Sequence, residues 1–203
     1  MTRTILGLLT IVLMAGCANS APYVAVGAGV GDFEPIIPTN SYTDVNLGAR
    51  IGYNLGNYFG IEAEGVVNVG GAANTSSTNQ SFTTERSDTV DSHLGLFIRG
   101  RLPVSDRVGI FARTGLGSRR TTTEIRSIDL DEADEFEAGQ EVSFRQTDLF
   151  TAFGVGIEFE ITADNKNAVR AEFTQYGVPD LGGDEDNDTR NDSVFSLAYV
   201  RKF

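Results

Sequence analysis

From residue 23 onward the sequence repeats with a period of two, and glycine and charge fall on the same side of that repeat. Along 44–54, Val45, Leu47, Ala49, Ile51 and Tyr53 alternate with Asn46, Gly48, Arg50 and Gly52. Successive side chains of a β-strand point to opposite faces, so this pattern predicts a strand with one apolar and one polar face. Similar runs occupy 23–31, 58–68, 89–102, 107–119, 147–161, 168–176 and 193–203. No stretch after residue 20 carries a helical period. The expectation is an all-β chain of about eight antiparallel strands.

The first twenty residues are different. Arg3 is followed by an apolar run from Ile5 to Met14 and then by small residues. That order predicts a secretory signal peptide over 1–20, with Ala18 and Ser20 at the small positions before cleavage. A lipobox-like reading of Met14-Ala15-Gly16-Cys17, which would lipidate Cys17, is the alternative. Residues 21–203 then form one domain, and no later stretch is apolar enough for a membrane helix. If the chain spans a membrane it does so as a closed barrel, because every backbone polar group must be paired there.

Connections alternate in length. Those near 32–43, 69–88, 120–142 and 177–192 are long and polar; those near 55–57, 103–106 and 163–166 are short. This is the pattern of an up-and-down transmembrane barrel, with tight turns at one rim and longer connections at the other.

Alternation alone does not say which face is inside. The narrow lumen of an eight-stranded barrel is filled by side chains, and long charged residues fit there when their neighbours are glycine. The charges on the glycine face also balance: Glu62, Glu64, Glu158, Glu160 and Glu172 against Arg50, Arg99, Arg101, Arg113 and Arg170. Buried charges need partners of opposite sign. We therefore expect these ten residues to form an internal ion network, with the apolar face turned to lipid. Tyr23, Tyr53, Tyr58, Phe159, Tyr176, Tyr199 and Phe203 are the expected interface aromatics. The reverse arrangement, a soluble barrel around an apolar ligand, is the competing reading.

The final segment sets Phe195, Leu197 and Tyr199 at alternate positions before a terminal Phe203. It resembles the C-terminal signature by which outer-membrane β-barrels are recognised for insertion, except that Arg201 stands where an apolar residue is usual. The segments Tyr58-Phe59-Gly60-Ile61-Glu62-Ala63-Glu64 and Val169-Arg170-Ala171-Glu172-Phe173 are similar to the broad outer-membrane barrel family that includes the OmpA-type transmembrane domain. So is the run from Gly109 to Gly117. The resemblance implies the outer membrane of a Gram-negative bacterium, contact with outer-membrane lipid and lipopolysaccharide, and delivery by the barrel-insertion machinery. The peptidoglycan-binding domain of full-length OmpA proteins has no counterpart in this sequence, so that role is not expected.

Chemistry-bearing constellations are sparse. The net charge of −12 excludes a nucleic-acid surface, which needs clustered cations. His93 is the only histidine, and Asp91-Ser92-His93 invites comparison with barrel enzymes acting on lipid A. Adjacent strand residues face opposite ways, however, so Ser92 and His93 cannot readily share a proton. The acidic stretches 129–137 and 184–188, with Asp192 beyond, lack the glycine and bidentate glutamate of a calcium loop. No catalytic, cofactor or metal site is expected. The leading functional expectation is a structural, surface-interacting barrel with long acidic loops and unknown surface ligands. A narrow channel for small solutes or ions is the alternative, and a lipid A-modifying enzyme the second.

Overall fold

In a computed structural model of the chain, residues 21–33, 42–70, 73–78, 82–129, 141–179 and 189–203 are described. Nine strand segments occur in them: β1 (Ala21–Phe33), β2 (Tyr42–Leu55), β3 (Phe59–Gly70), β4 (Ala73–Thr78), β5 (Phe82–Pro103), β6 (Val108–Asp129), β7 (Glu141–Glu160), β8 (Asn167–Pro179) and β9 (Thr189–Lys202). All pairings are antiparallel. β1 pairs with both β2 and β9, and β3 pairs with β5, so the sheet closes on itself. The short β4 pairs with β5 above that closure. The result is an eight-stranded barrel, with no helix among the described residues.

Three tight turns lie at one rim, together with both ends of the barrel. At 56–58 Gly56 takes a φ of 84°, and at 161–166 Asn165 takes 55°, left-handed values suited to glycine and asparagine. The Ser105 hydroxyl accepts from the Val108 N–H at 3.1 Å in the third turn. Asp164 accepts from the Thr162 hydroxyl and the Lys166 N–H, and these bonds hold its carboxyl below the ordinary aspartate range.

The far rim differs from expectation. β5, β6 and β7 run for 22, 22 and 20 residues, about twice the 9–11 that cross a bilayer. Much of 69–88 and 120–142, expected as loop, is therefore strand. The apolar alternation stops there because no lipid wets either face. The hydrogen-bond ladder and β-branched threonines such as Thr121, Thr122 and Thr123 carry the strands on. A bulge between Val90 and Ser92 inserts Asp91 as an unpaired residue. It reverses the parity of β5: His93, Phe97 and Arg99 face inward below it, Asp88 and Val90 above it. Cys17, Ala18 and Ser20, and the acidic stretches 131–137 and 184–188, lie outside the described residues.

The apolar face is the outer one. Ile51, Leu94, Leu96, Ile98, Leu116 and Leu149 are exposed on the wall, while glutamates and arginines are buried inside. Ile98, 64% exposed, stands at mid-height of the β5 apolar stripe from Leu94 to Leu102. An arginine there faces hydrocarbon, so Ile98→Arg is expected to cost about 2–4 kcal/mol. Urea titration in lipid vesicles measures it; a loss below about 1 kcal/mol would place that stripe outside the bilayer.

Candidate functional site

The lumen is built in layers. Nearest the tight turns, Tyr23, Ala25, Ala168 and Val200 pack together. Four buried aromatics each lie directly opposite a glycine: Tyr23 on Gly52, Phe97 on Gly115, Phe111 on Gly156 and Phe150 on Gly117. The glycine leaves the space that the ring fills. A Cβ on Gly156 would fall 2.5 Å from Phe111 Cζ, and one on Gly115 would fall 2.6 Å from Phe97 Cδ1.

The charges meet among these rings. Arg170 donates to Glu62 and Glu158, both at 2.8 Å. Arg113 reaches Glu64 at 2.8 Å and Glu172 at 2.6 Å. Arg50 bridges Glu64 and Glu172, the latter at 2.7 Å. Arg99 lies 3.1 Å from Glu158 and 3.4 Å from Glu62. Arg101 joins Glu160 at 3.0 Å and Glu158 at 3.7 Å. Arg113 also lies 3.5 Å from Glu62, which joins the ten residues singled out on the glycine face into one connected cluster. The planar guanidinium groups also cover rings, Arg113 at 4.0 Å from the Phe97 centroid and Arg170 at 4.8 Å from Phe111.

Sequence reasoning missed several members. Lys202 contacts Glu158 at 2.8 Å and also Glu160, adding a sixth cation. Its parity with Ala198 and Val200, opposite to Tyr199 and Phe203, was the available signal. Tyr23 and Tyr176 were expected at the lipid interface and instead face inward. Their hydroxyls donate to Glu62 and, at 3.1 Å, to Glu64. A buried phenol needs a polar partner, and the strand parity of each supplies a carboxylate. Tyr53, Tyr58, Phe159, Tyr199 and Phe203 are exposed on the outer surface, as are Phe195 and Leu197. Arg201 donates to Asn167 Oδ1 at 2.7 Å beside the rim.

A second layer closes the lumen toward the far rim. Val90, Phe97, Phe150, Ala152, Tyr176 and Val194 form an apolar cluster. His93 stacks edge-on to Phe150 and lies 3.3 Å from Glu64 Oε1. Ser92 and Asp91 do not approach it; Asp91 accepts from the Thr122 hydroxyl at 2.6 Å. The cavity between Arg50, His93 and Tyr176 holds about 30 Å³, room for about one water. Higher still, Arg119 pairs with Asp192, which the sequence had placed at the edge of an acidic loop and which is fully buried in β9. No group of three or more potential metal ligands occurs among the described residues.

Among solved structures, Neisserial surface protein A aligns with a TM-score of 0.59 at 12% identity, over 91% of this chain and 99% of that one. The attachment invasion locus protein Ail of Yersinia pestis aligns with a TM-score of 0.48, also at 12% identity, over 91% and 99%. The outer membrane protease OmpT of Escherichia coli gives 0.46 at 11% identity, over 91% and 96%. The first of these likenesses supports the fold, and the other two carry no argument. No curated protein matches the sequence. The family model described as the outer membrane protein beta-barrel domain matches residues 4–203. With an apolar wall, a charged lumen and a closed antiparallel ladder, the chain belongs to that family of Gram-negative outer-membrane barrels.

Proposed function

We propose that the protein is a sealed anchor in the outer membrane that holds a rigid sheet outside the cell for contact with external molecules. One observation carries the reading: the lumen is filled in cross-section by ion pairs and then by aromatic side chains, while β5, β6 and β7 continue far beyond the apolar wall. A filled lumen transmits nothing, and the investment in ordered strand lies outside. His93 answers to Glu64 and not to Ser92, which supports a non-catalytic role. Phe195, Leu197, Tyr199 and Phe203 present an alternating aromatic edge suited to the barrel-insertion machinery.

The test is in two parts. In planar bilayers the folded protein should give no steady conductance, and sustained open currents would replace this reading with the channel. Cells carrying a variant whose β6–β7 hairpin is cut back to Arg119 and Asp148 should keep the heat-dependent gel shift and lose adherence to surfaces. Unchanged adherence would remove the outer sheet from the function.

A further inference from the structure

The projecting sheet ends in an open edge. Among the described residues β8 joins β7 only from Thr151 onward, so from Glu141 to Phe150 β7 pairs with β6 alone. The six consecutive residues Val142 to Thr147 are all exposed, so neither face of this edge is packed. The direction of its backbone groups follows from the tight-turn rim. There the Glu160 N–H donates to the Arg107 carbonyl on the β6 side at 2.7 Å, and the Ile161 N–H donates to the Asn167 carbonyl on the β8 side at 2.8 Å. The β6–β7 register has no shift between Phe159 and Glu141, so that alternation carries through. Glu141, Ser143, Arg145 and Thr147 therefore turn both backbone groups to the open side.

An unpaired row of this kind is a template for another strand. The run Glu141-Val142-Ser143-Phe144-Arg145 is complementary to itself when reversed about Ser143. Laid antiparallel against the same run of a second copy, Ser143 meets Ser143, Glu141 meets Arg145 twice, and Val142 meets Phe144 twice. The odd positions are those that can bond across the edge, so these three pairings exchange about six backbone hydrogen bonds. Val142 and Phe144, 43% and 55% exposed, fall at the intervening narrow pairs, where facing side chains approach closest. Opposite charges and apolar groups at facing positions stabilise a ladder, and like charges weaken it. Other centres lose the match. About Arg145 two guanidinium groups face each other; about Phe144, Glu141 faces Thr147 and Arg145 faces Ser143. The sheet's other edge, β4, is 6 residues long and carries no charge to match.

Symmetry places the second copy. A two-fold axis that keeps both faces of the sheet aligned runs perpendicular to it and reverses the strand direction. β7 leads from the projecting tip down into the bilayer, so the second barrel is inverted and stands in an opposing membrane. We propose that the β7 edge is a homotypic contact, centred on Ser143, by which barrels in two facing outer membranes join their projecting sheets. The inference rests on the outer sheet being the external contact surface, and it names that surface's partner.

Proteoliposomes carrying the full chain test it through vesicle clustering, followed by light scattering. The unaltered chain should cluster vesicles, and protein-free vesicles should stay dispersed. Arg145→Glu and Glu141→Arg each set like charges at two facing positions, and each should slow clustering about tenfold. Vesicles of one variant mixed with vesicles of the other regain both opposite-charge pairs, so the mixture should cluster as the unaltered chain does. The heat-dependent gel shift verifies that each variant is folded. Clustering that survives either reversal would overturn the pairing, as would a mixture that stays dispersed. Dispersed vesicles of the unaltered chain would overturn it too. If cells then still lose adherence when the β6–β7 hairpin is cut back, the surface-contact reading stands and only its partner is wrong.

Discussion

Arg113→Met should destabilise the folded barrel by about 3–5 kcal/mol, the cost of stranding buried charges by removing one partner. Arg113 is 1% exposed and serves Glu64 and Glu172 at once. Methionine fills much of the volume, so the loss is electrostatic more than steric. Adding Glu172→Gln to the same chain should recover part of the stability, because it deletes one stranded charge and leaves Arg50 for Glu64. Urea-dependent unfolding in lipid vesicles, followed by the gel shift, gives both values. A single-variant loss under about 1 kcal/mol would mean that water reaches the cluster and screens it.

Phe97→Ala should cost about 3–5 kcal/mol, the range for deleting a buried phenyl ring. The ring lies under Arg113, fills the space over Gly115 and belongs to the upper apolar layer. Its relation to Gly115 gives a sharper test. Gly115→Ala alone should cost about 1–3 kcal/mol by overpacking against the ring. In the Phe97→Ala background that cost should fall, since the ring it strikes is gone. A double-mutant cycle over the four chains reads the coupling. Additive losses would mean that the Leu96 carbonyl oxygen, which lies nearer than the ring to a Cβ at Gly115, is the real obstacle.

Much of the barrel is legible in the sequence because a lipid-facing wall writes a strict two-residue rhythm. Leu94, Leu96 and Ile98 against His93, Gly95 and Arg99 give both the strand and the side that faces lipid. The ion cluster is legible for a related reason: five glutamates and five arginines on the glycine face have nowhere to go except against one another. Where lipid ends, the rhythm ends. The outer halves of β5, β6 and β7 have no lipid on either face, so Thr121 to Thr123 read as a polar connection although they continue the ladder. Tyr23 and Tyr176 failed differently. Tyrosine suits both a membrane interface and a buried carboxylate, and only parity with Ala25 or Glu172 separates the two. The bulge at Asp91 left no trace in composition, because one extra residue shifts phase without changing residue type.

The pairing of β9 with both β8 and β1 has a consequence for the order of events during assembly. The seam joins the two strands of the barrel farthest apart along the chain, and so the slowest to meet. Lys202 sits on β9, so the acids Glu158 and Glu160 lack one of their cations until that strand docks. Neutralising the interior and closing the wall are therefore one event. A barrel whose β9 has not docked is left with an open edge and an uncompensated charge at the same place, two reasons for a checkpoint to hold it back.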